Sequence, residues 1–160
     1  MSILLALLAV IGGAAMAEAS SANAWTQTTA QGLMDALGLQ LGLPDGANNV
    51  SWQMLEQAQM GQVRFTWQGD SYTARVAPTD EFEDISGLNC DWERQADCAV
   101  GRCKAVCRTA HGDDGSPVSL CLWYDDLTGL IYSVSAGNAD PEGADIQAAA
   151  RMLYIPMQTE

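Results

Sequence analysis

Basic side chains are scarce in this chain. Seven lysines and arginines stand against 20 acidic residues, which leaves a net charge of −13, and Lys104 is the only lysine. A field of that sign repels DNA, RNA and anionic surfaces at long range, so no nucleic acid is expected as a partner. Histidine is rarer still: His111 sits alone at the edge of a polar turn, with no serine or cysteine motif beside it. A hydrolytic triad or a histidine-built metal site needs more positioned groups than that. The redox motif Cys-x-x-Cys is absent, as are internal repeats and low-complexity tracts.

The one long apolar run stands at the start, from Ile3 to Ala17, and ends in the small-x-small site Ala15-Met16-Ala17. It predicts a signal peptide over 1–17. The run is shorter than the roughly 20 residues that span a bilayer, although no Lys or Arg precedes it. The protein is therefore expected to be secreted or held at the cell envelope, and a membrane is a partner only if the segment is retained. A polar linker and an N-terminal helix are expected over 18–42, and the rest of a single α+β domain over 43–160.

Periodicity supplies the elements. In "TQTTAQGLMDALG", Ala30, Leu33, Met34 and Leu37 share one helical face, with Thr28 or Thr29 as the cap and Gly38 as the stop. "NVSWQML" alternates as a half-buried strand does, with Val50, Trp52 and Met54 inward. "VRFTWQGDSYTARV" predicts a hairpin turning at Gly69-Asp70, which sets Val63 opposite Val76 and Arg64 opposite Arg75. One face of that hairpin should be core and the other solvent. "RCKAVCRTA", "VSLCLWY" and "LIYSVS" read as three more strands. Asp145 can cap a last helix in which Ile146, Ala149, Ala150 and Leu153 share a face before Pro156. The expected fold is an antiparallel sheet of about six strands with a short helix near each end, and a small β-sandwich is the alternative.

Four of the five cysteines, Cys90, Cys98, Cys103 and Cys107, fall within 18 residues, and Cys121 follows. Zinc sites favour two close pairs separated by a dozen or more residues, and these gaps do not match, so no metal and no cofactor are expected. Disulfides or buried thiols are the default for a secreted chain. Strand parity points Cys103, Ala105 and Cys107 inward. A two-residue turn at Asp113-Asp114 would set Cys107 opposite Leu120 and Arg102 opposite Asp125. A three-residue loop would set Cys107 opposite Cys121, and this register is preferred because it gives Cys121 a partner.

Arg64 and Arg75, as like charges expected face to face, need compensation. Either the acidic loop carrying Asp80, Glu81, Glu83 and Asp84 supplies it, or an anionic ligand or partner does. "NADPEGAD" has the spacing of a calcium loop at Asn138, Asp140, Glu142 and Gly143, but Ala149 stands where a bidentate Glu is required. No catalytic residue is assigned.

Several stretches together carry a family resemblance: Trp25-Thr26, "LPDGANNV" at 43–50, "FTWQGDSYTAR" at 65–75, "DISGL" at 84–88 with Asp91-Trp92, "CLWYD" at 121–125 and "YIPMQ" at 154–158. The chain resembles small uncharacterised extracytoplasmic proteins of anaerobic gut bacteria, related to the DUF4367 ectodomains. That resemblance implies a secreted or membrane-attached domain with no assigned activity, and the dense cysteines depart from it. The functional expectation is a non-enzymatic binding or interaction module with a protein or glycan partner outside the cell. The alternative is a hydrolase of cell-wall or dietary polymers using acidic residues, for which the acidic loop and Asp125-Asp126 are the candidates.

Overall fold

The computed structural model describes residues 24–137 and 144–156, so the expected signal peptide and the calcium-like run Asn138–Gly143 lie outside the described residues. In chain order the elements are β1 (Thr26–Thr28), α1 (Ala30–Leu37), β2 (Asn48–Leu55), β3 (Met60–Trp67), β4 (Asp70–Pro78), β5 (Arg94–Val100), β6 (Cys103–His111), β7 (Pro117–Asp125), β8 (Leu130–Gly137) and α2 (Ala144–Leu153). All eight strands join one sheet in the order β1-β2-β3-β4-β8-β7-β6-β5, with every neighbour antiparallel. Two four-strand meanders thus meet at the β4–β8 seam.

The expected antiparallel sheet with a helix near each end is present, but it has eight strands and not about six. The additions are the edges: the three-residue β1 and β5, whose sequence "RQADCAV" is mostly exposed and shows no clean alternation. Both helices pack on the same face, α1 on β2 and β3, and α2 on β8, β7 and β5. The Thr29 hydroxyl caps α1 by accepting from the Gly32 amide at 2.9 Å, and Gly38 ends it in the left-handed region at φ 68°. In α2, Ile146, Ala149, Ala150 and Leu153 are fully buried. Asp145 lies in the first turn of α2, where a negative charge still suits the helix dipole.

The hairpin of β3 and β4 turns one residue earlier than expected, which shifts the pairing register by two. Gln68 and Gly69, at φ 54° and 91°, form the turn, so Trp67 pairs with Asp70 and Val63 with Ala74. A two-residue shift preserves parity, and Val63, Phe65, Tyr72, Ala74 and Val76 all face the helices as buried core. The cross-strand partners do change: Arg64 stands opposite Thr73, and Arg75 opposite Gln62. In β2, a bulge between Asn48 and Ser51, with Asn49 at φ 51°, leaves Val50 39% exposed while Trp52 and Met54 pack on the core.

The second face of the sheet is not solvent. The segment from Thr79 to Glu93 crosses it: Ile85 packs with Ala77 and Ile131, and the Tyr124 hydroxyl donates to the Thr79 carbonyl at 3.4 Å. Leu120 and Leu122 are fully buried on this face, as is Gln62. A sheet covered on both sides can bury side chains on consecutive strand positions, as "SLCLW" in β7 does.

Candidate thiol centre

The β6–β7 hairpin takes the register that sets Cys107 opposite Cys121. Gly112 donates to the Ser116 carbonyl at 2.8 Å and encloses the three-residue turn Asp113, Asp114 and Gly115. On the other side of β6, β5 pairs so that Cys98 stands opposite Ala105 and Ala96 opposite Cys107. Cys98 and Cys107 are therefore diagonal neighbours on the helix-facing side, and their sulfurs lie 2.9 Å apart. With Cys121 they form a row across three strands, all three sulfurs within 4.8 Å of one another. All five cysteines are free thiols, and Cys90 and Cys103 stand outside this group.

Burial grades across the row. Cys121 has no exposed surface, whereas Cys98 and Cys107 are half-buried toward the β5 edge. Hydrogen bonds from Cys121 and then Cys107 hold the Cys98 thiol down at about 6 against the opposing effect of burial, and the Arg151 cation on α2 adds to them. Cys121 moves the other way, held protonated by its bonds to Cys107 and Cys98 and by burial. The cluster thus lowers the pKa of the thiol at its outer end and raises that of the thiol at its inner end. A cavity of about 470 Å³ lined by Phe82, Asp97, Cys98, Lys104, Ala105 and Val106 lies along the β5–β6 pair, with Asp97, Lys104 and Val106 on the parity opposite to the thiol row.

Cys103 belongs to a different network. Burial raises its thiol, which also bonds to Tyr154. The Tyr154 hydroxyl donates to Asp125 at 2.8 Å, and Arg102 donates to both oxygens of Asp125 at 2.9 and 3.0 Å. This network ties the chain after α2 to the end of β7. It also commits the first acid of the expected hydrolytic pair, because Asp125 is 1% exposed and fully bonded while Asp126 faces solvent.

The two arginines separate. Arg64 is exposed, while Arg75 is half-buried, donating through Nε to Gln62 at 2.8 Å and through Nη1 to the Ile85 carbonyl at 3.0 Å. Its guanidinium also lies 5.2 Å from the centre of the Trp25 ring. Gln62 in turn donates to Gln53 at 2.7 Å. Neutral dipoles and a ring, not a carboxylate, therefore compensate Arg75. Burial pulls its pKa down, nearby Arg64 adds to this, and Asp84 opposes it. Asp84 itself pairs with Arg108 at 3.2 Å. His111 meets the carboxylate of Glu93 at 3.0 Å, with both side chains more than half exposed.

Sequence reasoning placed Cys107 with Cys121 but missed Cys98. The available signal was Gly101-Arg102, a two-residue turn between apolar runs that brings Val100 opposite Cys103. No protein-family model matches the chain, and no curated protein matches it.

Proposed function

We propose that the protein is an extracytoplasmic domain, secreted or held at the cell envelope, that works by binding and not by turnover. Its binding centre is the row Cys98, Cys107 and Cys121, and the ligand is thiophilic. The observation that carries this reading is the convergence of three sulfurs within 4.8 Å, two of them on half-buried cysteines near the open edge of the sheet. Thiolate is a soft donor that selects soft ions, and three such donors from three adjacent strands are held in place by the sheet. The leader supports the compartment, and kinship with DUF4367-type ectodomains is part of the same proposal. A metal site, set aside on cysteine spacing, returns because strand pairing brings together what the sequence separates.

The test uses the full reduced chain, dialysed in turn against Zn(II), Cu(I) and arsenite and then alkylated. One bound ion per chain should protect Cys98 and Cys107 from alkylation while Cys90 stays reactive. Equal reactivity of these three sulfurs with and without every ion would overturn the reading. So would hydrolysis of a peptide, glycan or ester substrate that survives repurification.

A further inference from the structure

Resting on that reading, we infer that the cluster is built for a trivalent, three-coordinate thiophilic ion, of which arsenite is the simplest probe. The first step is ligand number. The group contains three sulfurs, and among the described residues no histidine, aspartate or glutamate joins it. Structural zinc takes four protein donors. An ion satisfied by three sulfurs needs nothing further from this site.

Spacing is the second step. With bonds of about 2.3 Å, a three-coordinate ion sets its sulfurs about 4 Å apart if planar and about 3.5 Å apart if pyramidal, as a trivalent ion with a lone pair is. The observed separations, from 2.9 Å between Cys98 and Cys107 to at most 4.8 Å across the group, bracket both values. Closing the row around one ion requires only side-chain adjustment of the two half-buried cysteines.

Charge is the third. Cys121 is completely buried and the whole row packs against the main core, so net charge left there is costly. Three thiolates around a monovalent ion carry two negative charges, and around a divalent ion they carry one. Around a trivalent ion they carry none. Arsenite reacts with no change of oxidation state: three As–O bonds break and three As–S bonds form. Each departing hydroxide takes a proton and leaves as water, one proton coming from each of Cys98, Cys107 and Cys121. The half-buried Cys98 on the edge strand β5 is the way in.

The test is native mass spectrometry of the reduced full chain with arsenite, alongside Zn(II) and Cu(I), with free thiols counted in parallel. The expected adduct weighs one arsenic less three hydrogens, and three of the five thiols disappear. Cys98→Ser, at a half-buried edge position where folding is least at risk, should abolish this adduct. It should weaken arsenite binding by more than the roughly 10–100-fold typical of losing an outer-shell partner. Cys90→Ser should leave the adduct unchanged. Loss of only two hydrogens, or an adduct that persists in Cys98→Ser, would overturn the inference. Zinc or copper(I) that protects the cluster where arsenite forms no adduct would remove the trivalent ion and leave the thiophilic reading standing. Failure of all three probes would remove both.

Discussion

Arg75 shows how a single side chain can be retained in a half-buried place without a counter-ion. Its two directed hydrogen bonds and the Trp25 ring face offset desolvation, and Gln62 passes the polarity on to Gln53. Gly87 belongs to this arrangement: it sits at φ 71°, and a Cβ there would lie 2.4 Å from Arg75 Nη1. Gly87→Ala should therefore destabilise by about 1–3 kcal/mol, from the left-handed backbone and the displaced guanidinium, measured as a lower urea midpoint. Replacing Arg75 with methionine should cost a similar amount, because the fully buried Gln62 would keep an unpaired amide oxygen. If both variants unfold at the wild-type midpoint, the segment over the second face is not held by Arg75. Asp125 behaves differently, since it is buried and takes bonds from Arg102, Tyr154 and the Leu127 amide. Tyr154→Phe should cost about 1.5–3 kcal/mol as one charge-assisted bond is lost, read in the same denaturation experiment.

Among the elements, those with strong periodicity were legible in the sequence and those at the edges were not. α1 with its Thr29 cap and Gly38 stop, the buried face of α2, and strands β3, β4, β6, β7 and β8 follow from spacing alone. β1 is too short to show a period, and β5 has one exposed face and one edge, so its composition reads as loop. Missing β5 also hid the thiol row, because Cys98 reaches Cys107 only when "RQADCAV" is paired as a strand. The β3–β4 turn was misplaced because Gly69-Asp70 and Gln68-Gly69 both fit two-residue turns, and parity cannot separate registers that differ by two. The cover on the second face had no local signal, since Arg75 and Thr73 read as solvent positions. An edge strand held on one side only should open more readily than the seam strands. Amide exchange in β5 is expected to be faster than in β7 and β8, and an ion bound across Cys98, Cys107 and Cys121 should slow it by joining β5 to β7. Exchange in β5 that does not change with the ion would mean that the ligand does not bridge the strands.

At the scale of the whole molecule, no helix among the described residues is long and apolar enough to cross a membrane. The proposed extracytoplasmic location rests on the expected leader, and mass spectrometry of secreted material should find Glu18 or a nearby residue at the N-terminus. Recovery of the intact chain only in membranes would make the segment an anchor. The net charge of −13 leads to a further expectation, because self-repulsion among 20 carboxylates should weaken as they begin to protonate. That effect alone should hold stability level or raise it slightly as pH falls from neutrality toward the ordinary carboxylate range near 4, against the loss from the Cys98 thiol, whose depressed value of about 6 lies within that window. Below that range the sign reverses. Burial pushes the Asp125 carboxyl up, but hydrogen bonds from Tyr154 and Arg102 outweigh it and hold the group below its ordinary value. Hydrogen bonding with His111 lowers Glu93 in the same direction, and the Ser116 amide lowers Asp114. A carboxyl whose folded pKa is depressed contributes stability that is complete above its unfolded value and is lost as pH falls through the folded one. Glu93 and Asp114 are exposed, so solvent screens their contribution, and Asp125 should dominate the acid limb. Urea midpoints measured from pH 7 down to pH 2 should therefore fall steeply only below about pH 4, and Asp125→Asn should start lower and decline less. An Asp125→Asn variant with the wild-type acid slope would show that the Arg102–Asp125–Tyr154 network does not set the acid limit of this fold.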